Sequence, residues 1–590
     1  MTAPRGAHLL LLLLAVAAAA VFARVWYTPD EPREASLVAS MLESGPRALP
    51  SLDGRPFAEK PPLLYWLGAA SAAAFGSRPA AVRLPNLGYL LLTGLALAAL
   101  ARRAAGEQAG FAAGVVAVTA LTPFQALVWL ATDAPLLAGV ALSLLGSYRA
   151  LTAVARPGRW QGYALMHAGL LIAFFAKGPA GWLVPLSAYA TVVLAERRWR
   201  ELLRIELWAY VPLQAVAIGA WALWLAAEPG GEDSLKVLFW YNLVGRAVRL
   251  AAPAGADYAS GHRNWPGKYL LELPLYLLPW SALLVAALRR ALKRARLVGA
   301  EGSGWRLALG ASVPPGVVLS LAATARGVYF APVALGCALL IGLYVGASGT
   351  AVDRFERICW RLTQLLTALL AAVLGLAALA AAAAPAWREP ATLALGAVSL
   401  AAAALALRLA LAPRVAAAGL LPRLAAATAL SLSLVMLPLY VQLNGWLSLE
   451  TLAARLSRAA AARPLVLLDP DETTLAMTQL YLPRAAVAAR VAAEDPERLA
   501  HLRAALALAG PVTRVLWLLP GGARWTLGDW SAFLGYSAGA HAPKAAPLPL
   551  GLEALVPECV ATRPGGRSYV LYRQAAAAGV PAAASAPRCP

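Results

Sequence analysis

Charge is scarce in this sequence. Only 14% of its 590 residues are Asp, Glu, Lys or Arg, against about 25% in an ordinary soluble chain. With 60% hydrophobic residues and a mean hydropathy of +0.64, that scarcity excludes a disordered chain and a soluble string of domains. Cysteine is rarer still. Cys337, Cys359, Cys559 and Cys589 form no metal-binding pattern and exclude a disulfide-rich secreted module. Two fall at apolar stretches and two near the end, where a Cys559–Cys589 bridge is left open. There is no Gly-rich phosphate loop, so no nucleotide cradle. There is also no internal repeat of fixed period, which weighs against transporters built on inverted repeats. The net charge of +21 would suggest nucleic acid in a soluble protein. In this composition it reflects arginines on one side of a membrane, and no nucleic-acid partner is expected.

Long runs of Ala, Leu and Val, of bilayer-spanning length, are what the chain does have. They predict about thirteen spans, near 8–26, 83–105, 109–122, 126–147, 161–176, 179–196, 207–227, 271–289, 305–323, 328–348, 361–384, 391–412 and 421–443. The first run is long, has a weakly basic start, and ends without a small-residue cleavage site, which predicts a retained anchor. Arginine clusters such as Arg102-Arg103, Arg197-Arg198 and Arg289-Arg290 fall on every second joint, and the positive-inside rule makes that side cytoplasmic. The other side then receives the joints 27–82 and 228–270 and the tail. The expected organisation is a transmembrane unit over 1–445 and a small C-terminal periplasmic α/β domain over 446–590. In the tail, 464–469, 514–519 and 570–572 read as strands, and 472–482 and 495–508 as helices.

Ionisable residues near a bilayer are costly and are functional candidates by default. Here they gather on the outer side: Asp30-Glu31, Glu59-Lys60, Asp133, Lys177, Arg246, Arg249, His262, Arg326 and Tyr329. Each also has a plainer reading. Asp30-Glu31 after a proline suits a helix first turn, Lys177 a snorkelling side chain, Glu59-Lys60 a solvated turn, and His262 an ordinary surface residue. Asp133, expected about two turns inside the fourth span, has the fewest plain explanations, and Lys177 is a candidate partner. Together these residues describe one outward-facing site suited to an anionic lipid. Cations would hold a phosphate and a carboxylate would act as base toward a hydroxyl. The segment Leu63-Leu64-Tyr65-Trp66-Leu67 reads as a helix lying in the membrane interface.

Thr28-Pro29-Asp30-Glu31-Pro32-Arg33, followed by Glu59-Lys60-Pro61-Pro62-Leu63-Leu64-Tyr65-Trp66, resembles the bacterial C-type membrane glycosyltransferases related to protein O-mannosyltransferases. The nearest likeness is to the 4-amino-4-deoxy-L-arabinose lipid A transferase family. Arg83-Leu84-Pro85, Thr132-Asp133-Ala134-Pro135, Lys177-Gly178-Pro179, Tyr241-Asn242 through Arg246 and Tyr329-Phe330-Ala331-Pro332 follow in order. The resemblance implies a C-type glycosyltransferase fold, Asp30 as the catalytic carboxylate, Asp133 as a matching aspartate of the site, and Lys60 on the lipid phosphate; Glu31, the second acid beside Asp30, joins Asp30 and Asp133 as a catalytic candidate. The substrate-binding candidates are Glu59, Lys60, Tyr65, Lys177, Asn242, Arg246 and Tyr329. The resemblance also implies a divalent metal held partly through Glu59 and a histidine. His262 is the nearby histidine, and Asn242 stands where relatives often carry one. Pro32-Arg33-Glu34 departs from the relatives' usual Arg-Tyr.

The expectation is a polytopic α-helical protein of the bacterial inner membrane with its active site facing the periplasm. It would be an inverting transferase moving a sugar from a polyprenyl (undecaprenyl) phosphate to lipid A, another envelope glycan or a protein. The alternatives are a transporter or lipid flippase, which needs charges near the midplane, and an assembly scaffold, which leaves Asp133 unexplained.

Overall fold

Alanine and leucine favour helix, and long helices satisfy every backbone group within an apolar solvent. The computed structural model follows that logic over residues 3–27, 29–248, 265–324, 326–347, 352–384, 390–411, 417–460, 465–483, 487–491, 496–509, 514–518, 555–562 and 568–574, the residues it describes. Among these, eight helical stretches are long and apolar enough to cross a membrane, or ten if each of two bent pairs counts as one span. Large apolar side chains such as Leu213, Leu223 and Leu376 face outward from them, as lipid-facing residues do.

The expected thirteen spans differ from these ten at three places. The amino-terminal helix, Ala3–Phe22, is counted among the shorter apolar helices, over His8–Phe22. Ala300–Leu321 contains Arg306 and the internal pair Pro314-Pro315 and is not among the ten. The runs 161–176 and 179–196 form one helical stretch, Arg156–Ala195. That stretch doubles back at the 3-10 turn Gly178–Trp182, since the hydroxyls of Tyr163 and Tyr189 lie 3.0 Å apart.

Two breaks matter for the site. Glu107–Thr119 and Leu121–Val128 meet at 64°, and the chain is again non-helical at Trp129–Thr132 before the helix Asp133–Thr152 starts. Asp133 is therefore the first residue of its helix and not two turns inside a span. There an acid faces the positive end of the helix dipole. The helix Asp133–Thr152 packs on Arg156–Lys177 almost backbone to backbone. A Cβ at Gly146 would come within 2.2 Å of Met166 N, and one at Gly169 within 2.4 Å of Ser143 N. Small residues permit such contact between apolar helices, and it brings the start of one helix beside the end of the other.

After the last apolar helices comes a five-stranded sheet. Its order is Val487–Val491, Leu465–Leu468, Arg514–Leu518, Ser568–Gln574, Leu555–Thr562; the first two junctions are parallel and the last two antiparallel. The helices Glu472–Tyr481 and Pro496–Ala509 accompany it. Three of the strands and both helices occupy the segments anticipated from the pattern; Val487–Val491 and Leu555–Thr562 were not anticipated. Cys559 is buried and disulfide-bonded, while Cys589 lies outside the described residues. Cys337 and Cys359 are free and buried.

Candidate functional site

The helix Asp30–Ser44 places Asp30, Arg33 and Glu34 on one face, at the i, i+3, i+4 spacing that brings side chains together. That face opens on a cavity of about 380 Å³, walled also by Lys60, Asp133, Lys177, Arg326, Tyr329 and the non-helical segment near Trp129. Stretches far apart in sequence, around residues 30–60, 121–133, 177 and 275–329, thus converge. Gly178, at φ +66° in the left-handed region, ends the helix directly after Lys177. A Cβ there would lie 4.0 Å from Pro61, so this turn sits against the Lys60 loop.

Charge in the cavity is arranged in two groups. In the first, Lys177 Nζ donates to Asp133 Oδ1 and stands 4.8 Å over the Tyr329 ring. In the second, Arg33 is the hub. Its guanidinium lies 2.7 Å from Glu34, 3.5 Å from Glu59, 3.6 Å from Asp30 and 2.8 Å from Glu472. Lys60 Nζ is 3.3 Å from Glu59. Burial opposes the charge on Arg33 and on Lys60. The carboxylates around them outweigh it, Glu59 first and Glu34 next, and hold both pKa values above their ordinary range. Asp30 is the most open of these acids, its side chain 42% exposed.

Glu31 behaves otherwise. Expected as a second catalytic carboxylate, it is fully enclosed. Arg24 Nη2 and Arg83 Nη2 each donate to Oε2 at 2.9 Å, Arg83 Nε donates to Oε1 at 3.0 Å, and the Tyr27 and Leu130 amides each donate at 2.9 Å. Burial pushes its pKa up, but Arg24 and Arg83 overcome that and hold it below the ordinary carboxylate range. With its lone pairs engaged and no exposure, Glu31 ties together the end of the first helix, Arg83, and the segment before Asp133.

Two more expected contacts turn away from the cavity. Tyr65 is fully buried, and its hydroxyl donates to Glu34 Oε2 at 2.8 Å, so it supports the wall. Asn242 donates through Nδ2 to the Ala58 carbonyl at 2.9 Å and braces the Glu59-Lys60 loop. Arg246 begins the short helix Arg246–Val248, with its side chain outside the described part. Arg249 and His262 lie outside the described residues. For the implied metal, Glu59 has Arg33 and Lys60 as neighbours, and among the described residues no group of three His, Cys, Asp or Glu side chains is arranged to hold a metal ion. The histidine that the resemblance implies beside Glu59, His262, lies outside the described residues, and no step below passes through a metal.

Sequence reasoning did not assign roles to Arg33, Glu34, Arg24, Arg83 or Glu472. The i, i+3, i+4 spacing from Asp30 was a usable signal for Arg33 and Glu34. Glu472, 439 residues from Arg33, carried none.

The arrangement can hold an anion with Lys60, Arg33 and Lys177 and offer Asp30 to a hydroxyl. The chain matches the dolichyl-phosphate-mannose-protein mannosyltransferase family over residues 59–225. It is 32% identical over 277 residues to the undecaprenyl phosphate-alpha-4-amino-4-deoxy-L-arabinose arabinosyl transferase of Pseudomonas aeruginosa, covering 45% of this chain and 46% of that protein. To the protein of the same name from Edwardsiella ictaluri it is 28% identical over 336 residues, or 56% and 58% of the two chains. The chain thus spans about half the length of the curated relatives it matches. ArnT from Cupriavidus metallidurans, in the crystal structure bound to undecaprenyl phosphate, superimposes with a TM-score of 0.66 at 17% identity over 95% of this chain and 97% of that one. Its apo structure gives the same TM-score at 18% identity. The resemblance stated from the sequence therefore holds: this is a multi-pass helical membrane chain with the fold of ArnT, and its residues 59–225 match the dolichyl-phosphate-mannose-protein mannosyltransferase family.

Proposed function

We propose that the chain is an inverting glycosyltransferase that takes a sugar from an undecaprenyl-type polyprenyl phosphate and gives it to an acceptor hydroxyl. The observation that carries this reading is the cavity in which open Asp30 faces Lys60, Arg33 and Lys177 at one end of an apolar helical bundle. Lys60 and its neighbours hold the donor phosphate and stabilise the charge that grows on it. Asp30 takes the acceptor's proton as the acceptor oxygen bonds to the anomeric carbon. The bond from that carbon to the phosphate oxygen breaks, and its electron pair stays on the phosphate. A single displacement inverts the centre. The relatives' names give an undecaprenyl phosphate-linked arabinose donor; the acceptor we propose is lipid A, with another envelope glycan or a protein as the wider class.

Thirteen crossings accommodate the charge alternation: the ten spans, with the doubled-back 156–195 stretch contributing two, and the helices Ala3–Phe22 and Ala300–Leu321. The active site and the 446–590 unit then lie on the periplasmic side of the inner membrane, as a disulfide at Cys559 also favours. The transporter reading is weaker, because the charged groups gather at one end of the bundle and not at its midplane.

The test is reconstitution of the purified chain in vesicles with undecaprenyl phosphate-linked sugars and lipid A, read by mass spectrometry of the acceptor. Envelope glycans from cells with and without the protein would be compared in parallel. A new glycosylated product that requires Asp30 is expected. Uptake or flipping of the donor with no transfer would overturn the reading.

A further inference from the structure

The C-terminal unit does not stand apart from the cavity. Its helix Glu472–Tyr481 lies along Asp30–Ser44, and the two meet start to start. Asp471 caps the former by accepting from Thr474 N at 2.8 Å. Thr473 Oγ1 donates to the carbonyl of Pro29, the residue before Asp30, at 3.1 Å. Two helix N-termini carry like partial charges, and the acids at both starts offset that repulsion. Further along, Asp53 N donates to Gln479 Oε1 at 3.2 Å, and Arg490 pairs with Asp53. Glu472 is one residue past the cap, and its Oε2 accepts from Arg33 Nη1 at 2.8 Å.

We infer that Glu472 is a positioning residue for the cavity. It holds Arg33 by Nη1 so that the other edge of the guanidinium stays spread over Glu34, Glu59 and Asp30. A fork of fixed geometry reads several acceptors at once. Glu34 takes both Nε and Nη2, at 3.3 and 2.7 Å, while Asp30 is left at 3.6 Å. Without Glu472 the Nη1 edge loses its acceptor, and the guanidinium can tilt about its Glu34 contact to close on Asp30, the nearest acid with open space around it. Asp30 would then be tied up in a tight ion pair. The assignment rests on the transferase reading for its effect on rate, and on geometry alone for its effect on Arg33.

Glu472→Gln in the full chain tests it, with two readouts. The first needs no substrate: labelling of Arg33 by phenylglyoxal, read by peptide mass spectrometry, should change several-fold relative to the parent. Equal labelling overturns the inference whatever the protein's activity. The second uses undecaprenyl phosphate and its sugar conjugate. Loss of a carboxylate near the phosphate-binding cations should leave undecaprenyl phosphate affinity equal or tighter, while transfer falls on the order of 10- to 100-fold, the usual cost of a small misplacement at a reacting group. Joint loss of affinity, transfer and melting temperature would mean that Glu472 only glues the seam, which also overturns it. Gln479→Ala loosens the same seam away from Arg33 and should keep the parent's transfer rate; a fall matching that of Glu472→Gln overturns it too. If the parent itself fails to bind undecaprenyl phosphate, the transferase reading fails and the labelling result alone decides the role of Glu472.

Discussion

Asp30 and Glu31 are neighbours on one helix and live in opposite surroundings. Successive helical residues are turned by about 100°, so one carboxylate opens on the cavity while the other enters the packed junction behind it. Asp30 is 42% exposed and touches the edge of a shared guanidinium; Glu31 is sealed between two arginines and two backbone amides. The comparison shows how one acidic pair divides its work. The enclosed member fixes where the helix sits, and the open member is left able to accept a proton.

The sharpest way to break the comparison is to neutralise each acid in turn. Asp30→Asn should keep the parent's melting temperature and lose transfer by about 10²–10⁴-fold, the range of general-base catalysis. Transfer within a few-fold of the parent would remove Asp30 from the base role. Glu31→Gln should do the reverse. It leaves Arg24 and Arg83 buried against a neutral amide, and breaking one side of such a pair costs about 3–5 kcal/mol. Poor yield and an early thermal transition are expected, with residual activity in proportion to folded protein. A Glu31→Gln variant that melts like the parent but fails in transfer would return Glu31 to the catalytic group.

Lys60→Ala probes the open side at its cationic end. Losing a charge-assisted contact to phosphate should weaken undecaprenyl phosphate binding by about 10- to 100-fold, from roughly 1.5–3 kcal/mol. Arg198→Ala, on the far side, should leave it unchanged. The pH dependence has a definite sign. Burial lowers the Lys60 pKa, but Glu59 and Glu34 raise it further, so it stands above 10.5. Its charge is complete below that value and is lost only as pH rises through the raised one. Binding should therefore show no loss attributable to Lys60 between pH 7 and 10. A midpoint near pH 8 would mean that another group governs binding.

Much of the cavity was legible because charge stands out in a chain this apolar. Asp30, Lys60, Asp133, Lys177 and Tyr329 were all named from position, and they line one space. What was not legible is phase and distance. Nothing in the string Asp30-Glu31 says which acid turns inward, because that depends on Arg83, 52 residues on. Tyr65 and Asn242 were credited with substrate, whereas their polar atoms serve Glu34 and the Ala58 carbonyl. The break before Asp133 was hidden because Trp129-Leu130-Ala131 is as apolar as a span. The strand Leu555–Thr562 contains Pro557 and Glu558, which mask a strand pattern. Contacts such as Arg33–Glu472 leave no local trace.

The smallest expected effect falls between the two extremes, at Asp133. Its pair with Lys177 is mostly enclosed, with side-chain exposures of 8% and 14%. Unlike Glu31, it stands at the cavity wall and at the first turn of a helix, where an acid's favourable dipole interaction is worth only about 0.3–1 kcal/mol. Lys177 has the Tyr329 ring as a second support, and a cation over an aromatic face is worth about 0.5–2 kcal/mol. Asp133→Asn should therefore cost little stability, shifting the melting temperature by a few degrees at most. It should lower transfer about tenfold as Lys177 loses its fixed direction. Lys177→Met, which removes the cation itself, should lower it further. A variant with the parent's rate and stability would mean that Tyr329 alone holds the lysine. If stability and activity fall together, the pair belongs with Glu31, as part of the frame that holds the site.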